Sequence, residues 1–215
     1  MEASFWHERW ESNQIGFHRP TENPLLVKYF QNLSLAKGSR VFLPLCGKTR
    51  DIAWLLSQGI AVIGAELSEI AIVQLFEELQ LTPQVTGLDS LKHYQAENID
   101  IFVGDTFHIS AEQLGAVDAV YDRAALVALP EPMRKRYTQH LQEITRQAQQ
   151  LLICFEYDQS QMDGPPFSIS DSEVERHYGE NYRLSLLRTG KVSGGLRGKY
   201  PAKEKVWHLH SLLLP

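Results

Sequence analysis

An acidic residue, Glu66, ends the apolar run AVIGAE and follows Gly47, the glycine of the turn LPLCGK, by 19 positions. A strand, a glycine turn, a helix and a second strand ending in a carboxylate at about that offset make a βα unit suited to a ribose-bearing ligand, whose hydroxyls the carboxylate accepts. The turn has one glycine rather than GxGxxG. It lacks the close backbone approach a pyrophosphate needs, so the expected ligand is an adenosine without one, a description S-adenosylmethionine fits. The other reading of Glu66 is a solvated residue opening a helix, since carboxylates also suit helix N-termini. Two more polar groups follow apolar runs: Asp105 with Thr106 after IDIFVG, and Asp122 with Arg123 after AVY. The planar guanidinium of Arg123 suits a ligand carboxylate or an anionic acceptor, or else a structural bridge to Asp122. Asp105 fits an adenine contact and a turn residue equally well.

The remaining candidates carry less. Lys48 follows a glycine without the rest of a Walker motif and reads as a surface charge at a helix start. His208 and His210 alternate on one strand face, but two ligands without a third partner make no metal site, and none is expected. His18 is the histidine expected to approach a substrate. Arg197, in the glycine-rich SGGLRGKYP, either adds a positive group at the substrate or rides a surface loop. Pro165 and Pro166 stiffen a segment where a pocket wall would be useful.

These residues need elements that bring them to one rim. Strand-like runs at 40–45, 60–65, 99–103, 117–121 and 151–156 alternate with helical patterns at 25–33, 49–57, 68–80 and 132–149, which predicts a parallel sheet covered on both faces. Asn23 with Pro24 reads as a cap and first helical residue, and Gly59 and Gly179 read as helix stops. Ser110 with Gln113, and Ser170 with Glu173, have the spacing of capping boxes. The runs 182–192 and 204–214 predict an antiparallel hairpin on one sheet edge. The expected fold is therefore α/β and doubly wound, a mainly parallel, Rossmann-like sheet of seven strands with a C-terminal antiparallel hairpin. Such sheets bind ligands beyond the carboxyl ends of their strands, where the first and fourth lie side by side.

Composition bounds the setting. A chain of 215 residues buries a complete core as one domain, 1–215. With 21 Lys and Arg against 26 Asp and Glu, the net charge of −5 offers no general attraction to nucleic acid. The two cysteines, Cys46 and Cys154, lie in or beside apolar runs with no disulfide or zinc spacing, which suits a reducing cytosol. No apolar stretch is long enough to span a membrane, and the polar, acidic start MEASFWHERWESNQ is unlike a secretory signal. A cytoplasmic monomer with a small-molecule substrate is expected.

The segments FWHERW (5–10), GFH (16–18), VFLPLCGK (41–48), GAELSE (64–69), YDRAALVAL (121–129) and GPPFSIS (164–170) together resemble the thiopurine S-methyltransferase family, in order and over nearly the whole chain. The chain length and short N-terminus resemble its bacterial members. The resemblance implies a cytosolic class I methyltransferase that moves the methyl of S-adenosylmethionine to aromatic and heterocyclic thiols. It places the family's cofactor contacts on Trp10, Leu45, Glu66 and Arg123, with Asp105 and Thr106 beside the adenine and Phe17 near both cofactor and acceptor. Residues 1–35 are then a helical cap over the site. Trp10 would hold the sulfonium by cation–π attraction, or else pack in the core at helical spacing from Trp6. An aromatic thiol ionises readily, so no residue is obliged to act as base. Alignment of the sulfur and the methyl carbon would supply most of the catalysis. Methylation of a selenium or halide nucleophile is the alternative within this fold. A non-catalytic nucleotide-binding protein is the alternative outside it, disfavoured by the missing GxGxxG and separable by whether the chain retains S-adenosylmethionine or NAD.

Overall fold

The computed structural model describes residues 3–213. An N-terminal helix, α1 (Ala3–Glu11), leads through an irregular segment to α2 (Pro24–Tyr29), opened by the side chain of Asn23 accepting from the Leu25 amide. Then come β1 (Arg40–Leu43), α3 (Arg50–Ser57), β2 (Ala61–Glu66) and α4 (Glu69–Leu79). A hairpin of β3 (Gln84–Leu88) and β4 (Leu91–Ala96) precedes β5 (Ile99–Val103), α5 (Ala111–Leu114), β6 (Ala119–Arg123) and α6 (Glu131–Ile144). The chain ends with β7 (Gln149–Tyr157), α7 (Asp171–Tyr178), β8 (Tyr182–Lys191) and β9 (Ala202–Ser211).

Among the described residues, one sheet carries all nine strands, in the order β3-β4-β5-β2-β1-β6-β7-β9-β8. The five central strands, β5 to β7, are parallel, and β9 then runs antiparallel between β7 and β8. Alternation along β1 explains the double winding. Phe42 faces a core built with Tyr137, Leu141 and Val174 of α6 and α7, while Val41 and Leu43 face one built with Leu26, Ile52 and Ile72 of α2, α3 and α4. The central strands are apolar throughout because both faces are covered.

The expected doubly wound sheet and closing hairpin are present, with five local corrections. The sheet has nine strands, not seven, because 84–96 pairs as β3 and β4. The pattern of β3 is exposed along almost its whole length, so it leaves no buried alternation to read. The helix expected at 132–149 stops at Ile144, since Arg146 and Gln147 turn left-handed (φ 51° and 56°) before β7. The fourth parallel strand is displaced two residues, to Ala119–Arg123, which puts Asp122 inside it. Of the two capping boxes only Ser110 with Gln113 is reciprocal; Ser170 caps the Glu173 amide, while the Glu173 carboxylate turns to Arg134. The last strand ends at Ser211, and Leu214 of the expected run lies outside the described residues.

Candidate functional site

The strand order reverses between β1 and β6, so the crevice beyond their carboxyl ends is the expected ligand position. The backbone is strained on both sides of it. Leu45, just past β1, has φ 48°, and Ala124, just past β6, has φ 68°. Each left-handed non-glycine residue costs roughly 1–3 kcal/mol and persists where surrounding structure over-determines it, a feature that clusters at functional sites.

Glu66 ties two of the rim loops together. Its Oε2 accepts from the Gly47 amide at 2.7 Å and its Oε1 from the Ser68 amide at 2.9 Å. Burial raises its pKa, opposed by the amide bonds from Ser68 and Gly47. Each oxygen retains a lone pair, so a carboxylate fixed in this way can still accept from a vicinal diol. A Cβ built on Gly47, itself at φ 53°, would stand 3.0 Å from Cζ2 of Trp10. The bare glycine thus lets the indole close on the turn. Trp10 is buried and Trp6 is half-buried, which separates the two tryptophans of FWHERW.

At the end of β5, Asp105 accepts from the Phe107 amide at 3.0 Å, and the buried Thr106 offers its carbonyl to His140 Nε2 at 2.9 Å. A cavity of about 450 Å³ opens beside this rim, lined by Leu67, Ser68, Leu91 and Val103 together with His7 and Glu11 of α1. Leu91 belongs to the hairpin that sequence reasoning passed over.

At the end of β6 the adjacent pair divides. Asp122 is fully buried, accepting from the Tyr137 hydroxyl at 2.7 Å and the Leu126 amide at 3.1 Å, and burial pushes its pKa up to about 6. It is therefore not a rim carboxylate, and the structural bridge weighed for Arg123 does not form. Arg123 instead donates to the Phe17 carbonyl at 3.3 Å. Phe17 stands edge-on to both Trp6 and Trp10, with centroids 5.7 and 5.6 Å away. His18 lies near Lys48, Arg50 and Arg123; burial first, then Lys48, lowers its pKa. Lys48 is not a free surface charge: it pairs with Glu78 at 2.9 Å and is 14% exposed. Arg197 lies across the sheet end from these groups, donating to the Pro165 carbonyl at 2.9 Å. The segment it touches is held to the rim by Phe167, whose amide donates to the Val127 carbonyl at 2.6 Å.

The structure thus brings Trp10, Leu45, Glu66, Phe17 and Arg123 to the reversal point, with Asp105 and Thr106 at one flank and Arg197 at the other. Two residues that sequence reasoning missed sit directly beneath: Asp51 and Tyr121, bonded at 3.0 Å from positions 70 apart. The only local hint was Asp51 in the first turn of a helix capped by Thr49.

His208 and His210 share a face of β9, with ring centroids 3.7 Å apart, and engage Gln149 and Ser185. Burial, then His210 and Arg183, pushes His208 from the ordinary 6.5 down to about 4. The unfolded chain therefore takes up this proton first, and the stabilisation is present above 6.5 and lost as pH falls toward 4. Replacing His208 by Gln removes that slope. Between pH 6.5 and about 4, the variant should gain roughly 2 kcal/mol relative to wild type in urea unfolding; parallel stability curves would refute this.

The thiopurine S-methyltransferase family model matches residues 1–209. A thiopurine S-methyltransferase of Teredinibacter turnerae is 53% identical over 209 residues, covering 97% of this chain and 97% of that protein. Another, from Xanthobacter autotrophicus, is 53% identical over 210 residues, covering 97% and 99%. Among solved structures, a Burkholderia thailandensis 1,6-didemethyltoxoflavin-N1-methyltransferase with bound S-adenosylhomocysteine has a TM-score of 0.65 at 14% identity, covering 97% of this chain and 87% of that one. An S-adenosylmethionine-dependent methyltransferase from Anabaena variabilis has a TM-score of 0.60 at 17% identity, covering 97% and 95%. At such identities the structures share the fold, whereas the sequence matches reach further: the chain belongs to the thiopurine S-methyltransferase family.

Proposed function

We propose that this protein transfers the methyl group of S-adenosylmethionine to the sulfur of small aromatic or heterocyclic thiols, thiopurines among them. The observation that carries the reading is the Glu66 carboxylate, fixed by the Gly47 and Ser68 amides at the point where the strand order reverses. The residues fit the cofactor: the carboxylate suits a ribose diol, the cavity beside Leu67 and Val103 suits adenine, and the single glycine suits a ligand without pyrophosphate. When bound, S-adenosylmethionine supplies an electrophilic methyl on a sulfonium.

The chain's own part is binding and alignment. Glu66 holds the ribose, Leu45 passes along it, and Asp105 and Thr106 border the adenine. Trp10 and Phe17 offer ring faces and edges to the sulfonium and the acceptor. Arg123, whose hydrogen-bond partner among the described residues is the Phe17 carbonyl, presents a guanidinium to the cofactor carboxylate or an anionic acceptor. Arg197 flanks the acceptor from the hairpin side. Of the segment 1–35, residues 3–23 close over these groups as a cap, excluding water while sulfur and methyl come into line. The thiol arrives ionised, so no side chain need take its proton; His18 remains a neutral neighbour because burial and Lys48 disfavour its charged form. A cytoplasmic monomer fits this reading, and no described helix is long and apolar enough to cross a membrane.

A screen of thiols with tritiated cofactor tests the function. Transfer to 6-mercaptopurine or a thiophenol is the expected result, and transfer to no thiol would reject it. Arg123→Lys keeps the charge but loses the planar fork. It should lower turnover about tenfold or more at unchanged stability, and wild-type kinetics would return Arg123 to a structural part.

A further inference from the structure

The segment 12–23, which carries Phe17 and His18, contains no helix or strand, and its hydrogen bonds to the rest of the chain differ in quality. At its near end the Gln14 amide donates to the Arg9 carbonyl at 2.8 Å and the Phe17 ring packs on Trp6 and Trp10, while the side-chain bonds there, Arg9 to Gln14 at 3.2 Å and Arg123 to the Phe17 carbonyl at 3.3 Å, are exposed and long. At its far end, however, the Asn23 amide donates to Asp51 Oδ1 at 2.6 Å, with both residues 2% exposed. Asp51 stands in the first turn of α3, where the helix N-terminus favours an anion. Its other oxygen accepts from the Tyr121 hydroxyl at 3.0 Å. Tyr121 lies on β6 two residues before Arg123, so the two side chains share a sheet face. One buried carboxylate therefore fastens the segment over the rim, the helix behind the β1 turn, and the strand that presents Arg123. A charge-assisted, desolvated bond of this kind holds better than the exposed side-chain hydrogen bonds at the other end.

We propose that Asp51 is a positioning residue: it fastens 12–23 down over the cofactor site and so sets how fast the cofactor leaves. This rests on the reading of the rim as an S-adenosylmethionine site. Asp51 touches no reacting group, so its removal should leave the chemical step nearly intact and change residence instead.

The test uses the full chain with S-adenosylhomocysteine, comparing wild type with Asp51→Asn and Tyr121→Phe. Stopped-flow dissociation should be about tenfold faster in Asp51→Asn and about threefold faster in Tyr121→Phe, with turnover at saturating cofactor within about twofold of wild type. Chymotryptic cleavage after Phe17, which is 36% exposed, should accelerate in the same order. Unchanged dissociation and cleavage in the folded variants would overturn the proposal. So would acceleration that merely tracks lost global stability, with cuts spread along the chain. If Asp51→Asn fails to fold, Tyr121→Phe decides alone. Failure of the wild type to bind S-adenosylhomocysteine would reject the site itself rather than the fastening.

Discussion

Replacing Glu66 by alanine is expected to weaken S-adenosylhomocysteine binding by about 100-fold, the upper part of what one charge-assisted contact to a diol supplies. Sequence reasoning alone gives the ribose contact, worth roughly 1.5–3 kcal/mol. The structure adds a second loss, because the Gly47 and Ser68 amides both depend on this carboxylate and would be left without an acceptor in a buried site. Each abandoned amide costs about 1–3 kcal/mol unless water enters, so thermal stability should fall together with affinity. Glu66→Gln separates the two effects: its carbonyl can still accept one amide, whereas its nitrogen cannot accept the other. Calorimetric titration gives the affinity and thermal unfolding the stability. A folded Glu66→Gln protein with the wild-type dissociation constant would remove Glu66 from the cofactor site.

The largest stability loss from a single polar replacement should come at Arg134. Its Nε meets Glu173 Oε1 at 2.5 Å, with the two side chains 7% and 9% exposed, and its Nη1 donates to the Leu129 carbonyl at 2.9 Å. Burial would raise the Glu173 pKa, but His177 and Arg134 more than offset this and hold it below the usual value. Arg134→Met strands that carboxylate, leaving it His177 at 3.3 Å and the exposed Arg176 at 3.9 Å. Losing the guanidinium partner of a buried carboxylate costs up to about 3–5 kcal/mol, and His177 and Arg176 offset part of it. In a chain of this length that lowers the melting temperature by on the order of 10 °C. Removing both charges, as Arg134→Met with Glu173→Leu, should recover most of the loss, since an apolar pair of similar volume avoids the desolvation cost. The guanidinium also lies 5.8 Å from the centroid of Phe167, whose backbone fastens the GPPF segment to the rim. The single variant should therefore raise the KM for the thiol more than that for the cofactor. A loss below about 1 kcal/mol would show the pair to be solvated in practice.

Features carried by neighbouring residues were legible from the chain alone. The apolar runs at β1, β2, β5, β6 and β7 announce themselves because strands buried on both faces need no alternation, and Gly59, Asn23 and Ser68 mark helix ends through bonds made within a few positions. The offset from Gly47 to Glu66 is also local, since one helix and one strand span it. Tertiary structure decided what depends on pairing across distance. Strand β3 has almost no buried face of its own, and the hairpin β3–β4 exists because the edge of β5, Ile99 to Val103, pairs with Lys92 to Ala96 of β4. The two-residue displacement of β6 brought Asp122 within the strand and down into the core, where adjacent side chains take opposite faces, while Arg123 stayed at the rim. The Asn23–Asp51–Tyr121 fastening joins residues 28 and 70 positions apart. Propensity and spacing act over a turn or a strand, so they specify which elements form; which polar groups meet beneath them follows from how those elements pack.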